Sequence, residues 1–336
     1  MKFSLRFNNN LPAADYITLA RAAEAAGFDQ FWLSNDLFLR SAPVILSAVA
    51  TATERIEIGT CILNPYSIDP SEIAMMAATL DELSGGRFNL GFAAGAGEFL
   101  KWIGIPQGKP LTIVRESITA INRLTSGERA EFQGSSLQWT DEAYLRFQPL
   151  RRVPIYIGAM SPNMLRLIGE VADGGLPLLF PPEHYETVLP YIREGAAQAG
   201  RRLEEIDIAA CIWCSIGDTA ESAGAAQYAL REKIAYYGHA LSSLIWDRLG
   251  LTREDFSEIE HAIMVERDTA KAAHLVTPAM LKIGIAGTTR ELIERIEHLI
   301  SLGVRHLSFG PPLGADPLTA IQAIGRDVIP HFKERV

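Results

Sequence analysis

Cysteine is scarce. The 336 residues hold three, Cys61, Cys211 and Cys214, too few for a disulfide scaffold. Basic clusters are missing too: no run exceeds Arg151-Arg152 or Arg201-Arg202, and the formal net charge is −9. Nucleic acid and anionic membrane surfaces select for clustered Lys and Arg, so neither is an expected partner. No apolar stretch approaches the ~20 residues of a membrane span. The start, MKFSLRFNNNLP, turns polar by Asn8 and does not match a signal peptide. The expectation is a soluble, cytoplasmic chain acting on a small molecule. The histidines are scattered, with no H-x-x-x-H or H-x-E…C-x-x-C spacing, so no metal is expected. Nor is there a G-x-S-x-G elbow or a Walker glycine–lysine pattern. Cys211-Ile-Trp-Cys214 reads C-x-x-C, but strand residues three apart face opposite sides, which argues against a redox or zinc pair.

What is present is alternation. Strand-like runs occur at 3–7, 30–34, 55–60, 88–93, 154–158, 174–180, 206–214 and 304–309. Helical patterns lie between or after them at 12–27, 42–53, 71–84, 110–126, 163–172, 183–200, 219–273, 290–302 and 317–333. Strands alternating with helices imply βαβ units and a parallel sheet. Eight such units fit an α/β chain folded as a closed (β/α)8 TIM barrel. The rival is an open doubly wound sheet, but its G-x-G-x-x-G signature is absent from the first unit. One barrel domain over 1–336 is expected, with insertions at about 128–152 and 235–283 placed at the C-terminal mouth. The first of these is expected to hold a hairpin or a loop.

In a barrel, residues just after each strand line the site. Here they are Asn8-Asn9-Asn10, Asn35-Asp36, Cys61 to Tyr66, Gly95-Ala96-Gly97-Glu98, Ala159 to Asn163, Pro181-Pro182 and Gly310-Pro311-Pro312. The turn Gly158-Ala159-Met160-Ser161-Pro162 opens a helix at Asn163, where free N–H groups suit a phosphate. The same turn also reads as an ordinary helix start, with Ser161 capping and Pro162 at the first position. Gly95 and Gly97 either bring backbone close to a ligand or only form a tight turn. His184 follows the sixth strand and reads as a helix-surface residue or a mouth residue. One connector is odd. GTCILNPYSIDP, residues 59–70, puts Cys61, Ile62 and Leu63 in a row where a polar loop belongs.

That connector, with GFDQFWLSNDLF, TLDELSGGRFNLGFAAGAGE, VPIYIGAMSPNMLRLIGEVADGGL and FGPPLGADPLTAIQAIGRDVIPHF, resembles the bacterial-luciferase-like flavin and deazaflavin oxidoreductases. The resemblance covers nearly the whole chain. It is strongest to the branch of methylene-tetrahydromethanopterin reductases and glucose-6-phosphate dehydrogenases that use the 8-hydroxy-5-deazaflavin coenzyme F420.

The resemblance implies hydride transfer between F420 and an organic substrate. It also implies a non-proline cis peptide at Cys61–Ile62 backing the cofactor ring, with Asn64, Pro65 and Tyr66 continuing the pattern. Asn35 and Asp36 fall where many members carry Asp-His, which leaves Asp36 as the candidate acid or base. Glu98 matches a catalytic or ring-contacting glutamate, and Gly158 to Asn163 match the phosphate turn. Arg40 replaces an aromatic residue of the sugar-phosphate enzymes. The alternatives are a monooxygenase using FMN reduced by a partner flavin reductase, and a barrel that binds flavin without catalysis. A homodimer is also implied. Tyr236, Tyr237, Trp246 and Met264 are expected on a substrate-side cap, or on a helical pair that packs on the barrel or on a partner subunit.

Overall fold

The computed structural model describes residues 1–238, 241 and 243–333. Residues 239, 240, 242 and 334–336, which fall within the expected cap and C-terminal end, lie outside the described residues. The strands are β1 (Lys2–Phe7), β2 (Gln30–Leu33), β3 (Glu57–Thr60), β4 (Phe88–Phe92), β5 (Phe132–Gln133), β6 (Gln138–Trp139), β7 (Ile155–Ala159), β8 (Gly174–Pro177), β9 (Asp207–Gly217), β10 (Ile285–Thr288) and β11 (His306–Leu313). Eight of them pair in parallel around a ring, β1-β2-β3-β4-β7-β8-β9-β11, and β11 returns to β1. This is the (β/α)8 barrel the alternation predicts.

Strand periodicity sorts the side chains. On β1, Phe3, Leu5 and Phe7 pack outward into the core shared with the helices, while Ser4 and Arg6 belong to the barrel interior. Trp32, Tyr156, Leu176, Ala209 and Cys211 fill the middle of that interior. Glycine makes room for the largest of them. A Cβ on Gly59 would stand 2.3 Å from the Trp32 ring. The C-x-x-C cysteines face opposite ways, Cys211 in the interior cluster and Cys214 in the outer core.

The floor of the barrel is a polar network. His306 Nδ1 lies 2.9 Å from Asp207 Oδ1, and His306 Nε2 lies 2.9 Å from Ser4 Oγ. Tyr156 donates its hydroxyl to Asp207 Oδ2, which also accepts from Lys2 Nζ. Gln30 donates to Glu57, as does Asn89. Buried polar groups need such partners.

Four features differ from the sequence expectation. The 128–152 stretch forms the β5–β6 hairpin, but it is tied to strand starts at the floor, not to the mouth. Arg151 pairs with buried Asp81 and donates to Phe88 O, the first residue of β4, while Arg152 pairs with Asp173 just before β8. The reason is connectivity: the stretch joins a helix end to a strand start, so its ends lie at the N-terminal end of the barrel, while the hairpin tip reaches back along the helix Pro110–Thr125 to Glu116. The long helical run breaks into helices Ala220–Tyr237, Ser243–Arg248, Ser257–His261, Thr269–Leu275 and Pro278–Leu281, with a π-helical turn at Ala262–Glu266. Gly250, Pro278 and the polar turns between them punctuate it. A short helix, Gly97–Trp102, follows β4, and β10 extends the sheet beside the far end of β9. Among the described residues no helix is long and apolar enough to cross a membrane.

Candidate active site at the barrel mouth

The connector after β3 resolves into a bulge. Cys61 N donates to Leu33 O, keeping register with β2. Leu63 N donates to Gly91 O and Ala93 N to Leu63 O, restoring register with β4. Between these anchors the Cys61–Ile62 peptide is cis, as are Phe180–Pro181 and Pro311–Pro312. Strand alternation would send Cys61 and Ile62 to opposite faces. Instead both border the interior cluster, and Leu63 returns to the outer core. The apolar knob is therefore a double inward step at the mouth. Ile62 lies against β7, two strands along the ring, where a Cβ on Gly158 would come 3.1 Å from Ile62 Cγ2 and 3.3 Å from Ala93 Cβ. The Cys61 thiol sits 3.7 Å from Ser34 Oγ, and burial pushes it up to about 12, so it stays protonated at neutral pH.

Several residues singled out in the sequence spend their hydrogen bonds inside the chain. Asn35 Oδ1 accepts from Ala42 N at the start of the helix Ala42–Ala52. Asn64 Oδ1 accepts from Tyr66 N and Ser67 N, and its amide donates to Ser67 Oγ. Gly95 has φ +74°, in the left-handed region that favours glycine, and packs on Asn64. Gln107 Nε2 ties down the carbonyls of Ala94 and Gly95 and lies against Gly97. These residues shape the loops after β2, β3 and β4.

The turn after β7 differs. Ser161 is the N-cap of the helix Pro162–Val171 and makes no side-chain capping bond. The caps Asp69, Thr219, Thr288 and Asp316 all accept one at their own helix starts. The Ser161 hydroxyl and the first-turn amides that begin at Asn163 are thus left for another partner, beside Ala159 and an exposed Met160. His184 is half-buried beside Thr187 and Arg248, and burial, then that cation, lowers it to about 4.

Three charged side chains converge above the interior cluster. Arg6, 9% exposed, donates to Ile212 O and lies beneath Gly310, where a Cβ would stand 2.4 Å from Arg6 Nη2. Lys233, on the helix Ala220–Tyr237, holds its ammonium 4.1 Å from the Tyr237 ring centroid and 5.5 Å from that of Trp213. Trp213 in turn packs on Phe180 at 4.5 Å. Burial and then Arg6 lower Lys233 to about 8, against the pull of Asp36. Asp36 is half-buried, and burial raises its carboxyl although Lys233 opposes this. Its backbone is held by Asn9, which accepts from Asp36 N and donates to Asp36 O. Glu98 sits exposed on the helix Gly97–Trp102, and the charge that acts on Asp36 is Lys233.

Tyr237 and Trp213 thus bring the 235–283 region to the mouth, as its position after β9 predicts. Tyr236 and Met264 are exposed, whereas Trp246 donates to Gly238 O and stacks on Phe256. Arg6, Trp213 and Lys233 were not singled out from the sequence. The available signal for Arg6 was its place in the alternation of β1, where Lys2, Ser4 and Arg6 share the face opposite Phe3, Leu5 and Phe7. Among the described residues no group of His, Cys, Asp and Glu is placed to hold a metal ion.

The whole chain has known relatives. The 5,10-methylenetetrahydromethanopterin reductase of Archaeoglobus fulgidus is 32% identical over 99% of this chain and 100% of its own length. The F420-dependent glucose-6-phosphate dehydrogenase of Nakamurella multipartita is 30% identical over 95% of this chain and 92% of its own. The structure of the coenzyme F420 dependent tetrahydromethanopterin reductase of Methanopyrus kandleri superposes with TM-score 0.93 at 30% identity, covering 98% of this chain and 99% of that one. Residues 4–306 match the family model described as luciferase-like monooxygenase. A shared barrel, an end-to-end match and a family model spanning most of the chain agree: the protein belongs to the luciferase-like monooxygenase family.

Proposed function

We propose that this protein is an oxidoreductase that moves a hydride between coenzyme F420 and an organic substrate. The observation that carries the reading is the inward Cys61–Ile62 step at the mouth, in a chain related along its full length to F420-dependent enzymes. The residues present suit the coenzyme. Cys61 and Ile62 offer a flat apolar backing, and the uncapped turn of Gly158, Ala159, Met160, Ser161, Pro162 and Asn163 offers donors to its phosphate. Gly95 and Gly97 keep the β4 loop thin, while Asn35 and Asn64 hold their loops in place.

When bound, F420 supplies the carbon that gives or takes the hydride. The chain's part is to orient, to exclude water and to manage the proton. Asp36 is the candidate acid, because burial favours its protonated form. Glu98, at the edge of the same mouth, is the second candidate. The whole chain acts as one barrel unit. A homodimer goes with this reading, since Val44 and Met75 expose apolar surface on adjacent helices, Ala42–Ala52 and Pro70–Leu83. Sedimentation tests that assembly.

The cofactor reading is tested by titrating the purified protein with F420 and with FMN and following fluorescence. Tighter binding of F420 supports it. Tighter binding of FMN by tenfold or more, ~1.4 kcal/mol, overturns it in favour of an FMN-dependent monooxygenase served by a flavin reductase.

A further inference from the structure

The mouth holds more charge than hydride transfer requires, and that charge is not paired internally. Among the described residues, no side-chain hydrogen bond or ion pair to protein joins the Lys233 ammonium or the Asp36 carboxylate to a partner. Lys233 has only its two aromatic faces, and the bonds at Asp36 use its backbone. Arg6 is nine-tenths buried, and its Nε is a buried donor with no acceptor. Lys233 and Asp36 act on each other electrostatically without closing into an ion pair. Here the rings of Trp213 and Tyr237 hold the ammonium, and Asn9 holds the backbone at Asp36. The absence of a side chain at Gly310 leaves space for the Arg6 guanidinium, whose charge acts on Lys233. Two cations against one carboxylate leave a surplus positive charge in a low-dielectric mouth, where it attracts anions strongly.

We infer that Arg6 and Lys233 form a recognition site for an anionic oxygen group of the substrate, a carboxylate or a phosphate ester, with the Asp36 carboxyl left to hydrogen-bond a hydroxyl or N–H of the same molecule. The groups facing Lys233 are Arg6 from β1, Asp36 from the loop after β2, and Tyr237 on its own helix. Arg6 and Lys233 thus approach the anion from below and above. The donor set suits it, since a guanidinium and an ammonium with open N–H groups are the usual readers of carboxylate and phosphate. This inference rests on the oxidoreductase reading for the word substrate, but its binding chemistry is testable without turnover.

The test is calorimetric titration of the full-length protein, at constant ionic strength, with DL-lactate, succinate and glycerol 3-phosphate. Sodium chloride is the control. Expected is saturable binding of at least one probe, weakened tenfold or more in Lys233→Gln and restored to within threefold in Lys233→Arg. The arm that binds tells carboxylate from phosphate. Lys233 is a half-buried cap residue, so Lys233→Gln tests the site without disturbing the barrel core. Arg6→Gln is the second variant, with its fold checked by circular dichroism. No binding by any probe, or binding unchanged in Lys233→Gln, overturns the inference. F420 titrated into the same variants separates the two readings. If F420 binds normally and no anion does, only this inference fails.

Discussion

Asp207 and His306 are locked together at the barrel floor, Oδ1 to Nδ1 at 2.9 Å, with the imidazole only 1% exposed. Burial works against the Asp207 carboxylate, but the hydrogen bond and charge of His306, then Lys2, outweigh it and hold its pKa well below the usual aspartate range. A depressed folded-state pKa stabilises the fold above the unfolded value, ~3.9. That stabilisation is lost as pH falls below it toward the folded value. Asp207→Asn removes the charge that His306 and Lys2 face and replaces one of the two accepting oxygens with an amide donor. It should cost about 3 kcal/mol at pH 7, and the difference from the parent should shrink as pH falls below the usual aspartate range. Urea unfolding from pH 3 to 7 checks both.

Asp36 has the opposite sign. Its folded-state pKa is raised, chiefly by burial. Between the unfolded and folded values the native state holds the extra proton, so stability falls as pH rises through that window. Asp36→Asn removes that slope, and the variant should melt higher than the parent at pH 7 to 8. Its turnover should drop roughly 10²-fold if the carboxyl moves the proton. Glu98→Gln, altered at an exposed position, should lose less than about tenfold. Equal losses in the two variants would place the acid elsewhere.

Ser161→Asp places a carboxylate at the uncapped helix start after β7. If the cofactor phosphate docks there, F420 affinity drops, and it drops most at low salt, where repulsion is least screened. Affinity unchanged at 10 mM salt would put the phosphate at another turn.

Gly310→Ala reports on the charged mouth. The new Cβ would meet Arg6 Nη2 at 2.4 Å and Ile212 O at 2.7 Å, so the guanidinium or the strand must move. The expected cost is about 1–3 kcal/mol in unfolding free energy. Weaker anion binding should accompany it, with F420 binding retained.

All eight ring strands were legible because each is a short apolar run between turn residues, a signal that survives without tertiary context. The bulge at Cys61–Ile62 was legible only through resemblance, since nothing in Cys-Ile-Leu itself says that two neighbours turn to one face. The hairpin's position is not legible in composition, which marks an insertion but not its place on the barrel; chain direction ties the end of 128–152 to the floor. Lys233 was missed for another reason. On its helix it sits among Ile234, Ala235 and Tyr237, and only the packing of that helix over Trp213 turns a surface-type residue into a mouth residue.

The ring order carries a consequence for how the chain is made. β1 hydrogen-bonds to β11, and β11 also bonds to β9. Both seams wait for residues 306–313, which leave the ribosome after every other strand of the ring. Until then β1 and β9 present free backbone edges, the kind that recruit other chains. The helical stretch from Pro317 to Lys333 then seals the joint, with Lys333 donating to Gly27 O and pairing with Asp29 beside β2. A translation product that stops short of His306 is therefore an open trough with two sticky rims, a substrate for chaperones and proteases before it is ever a barrel.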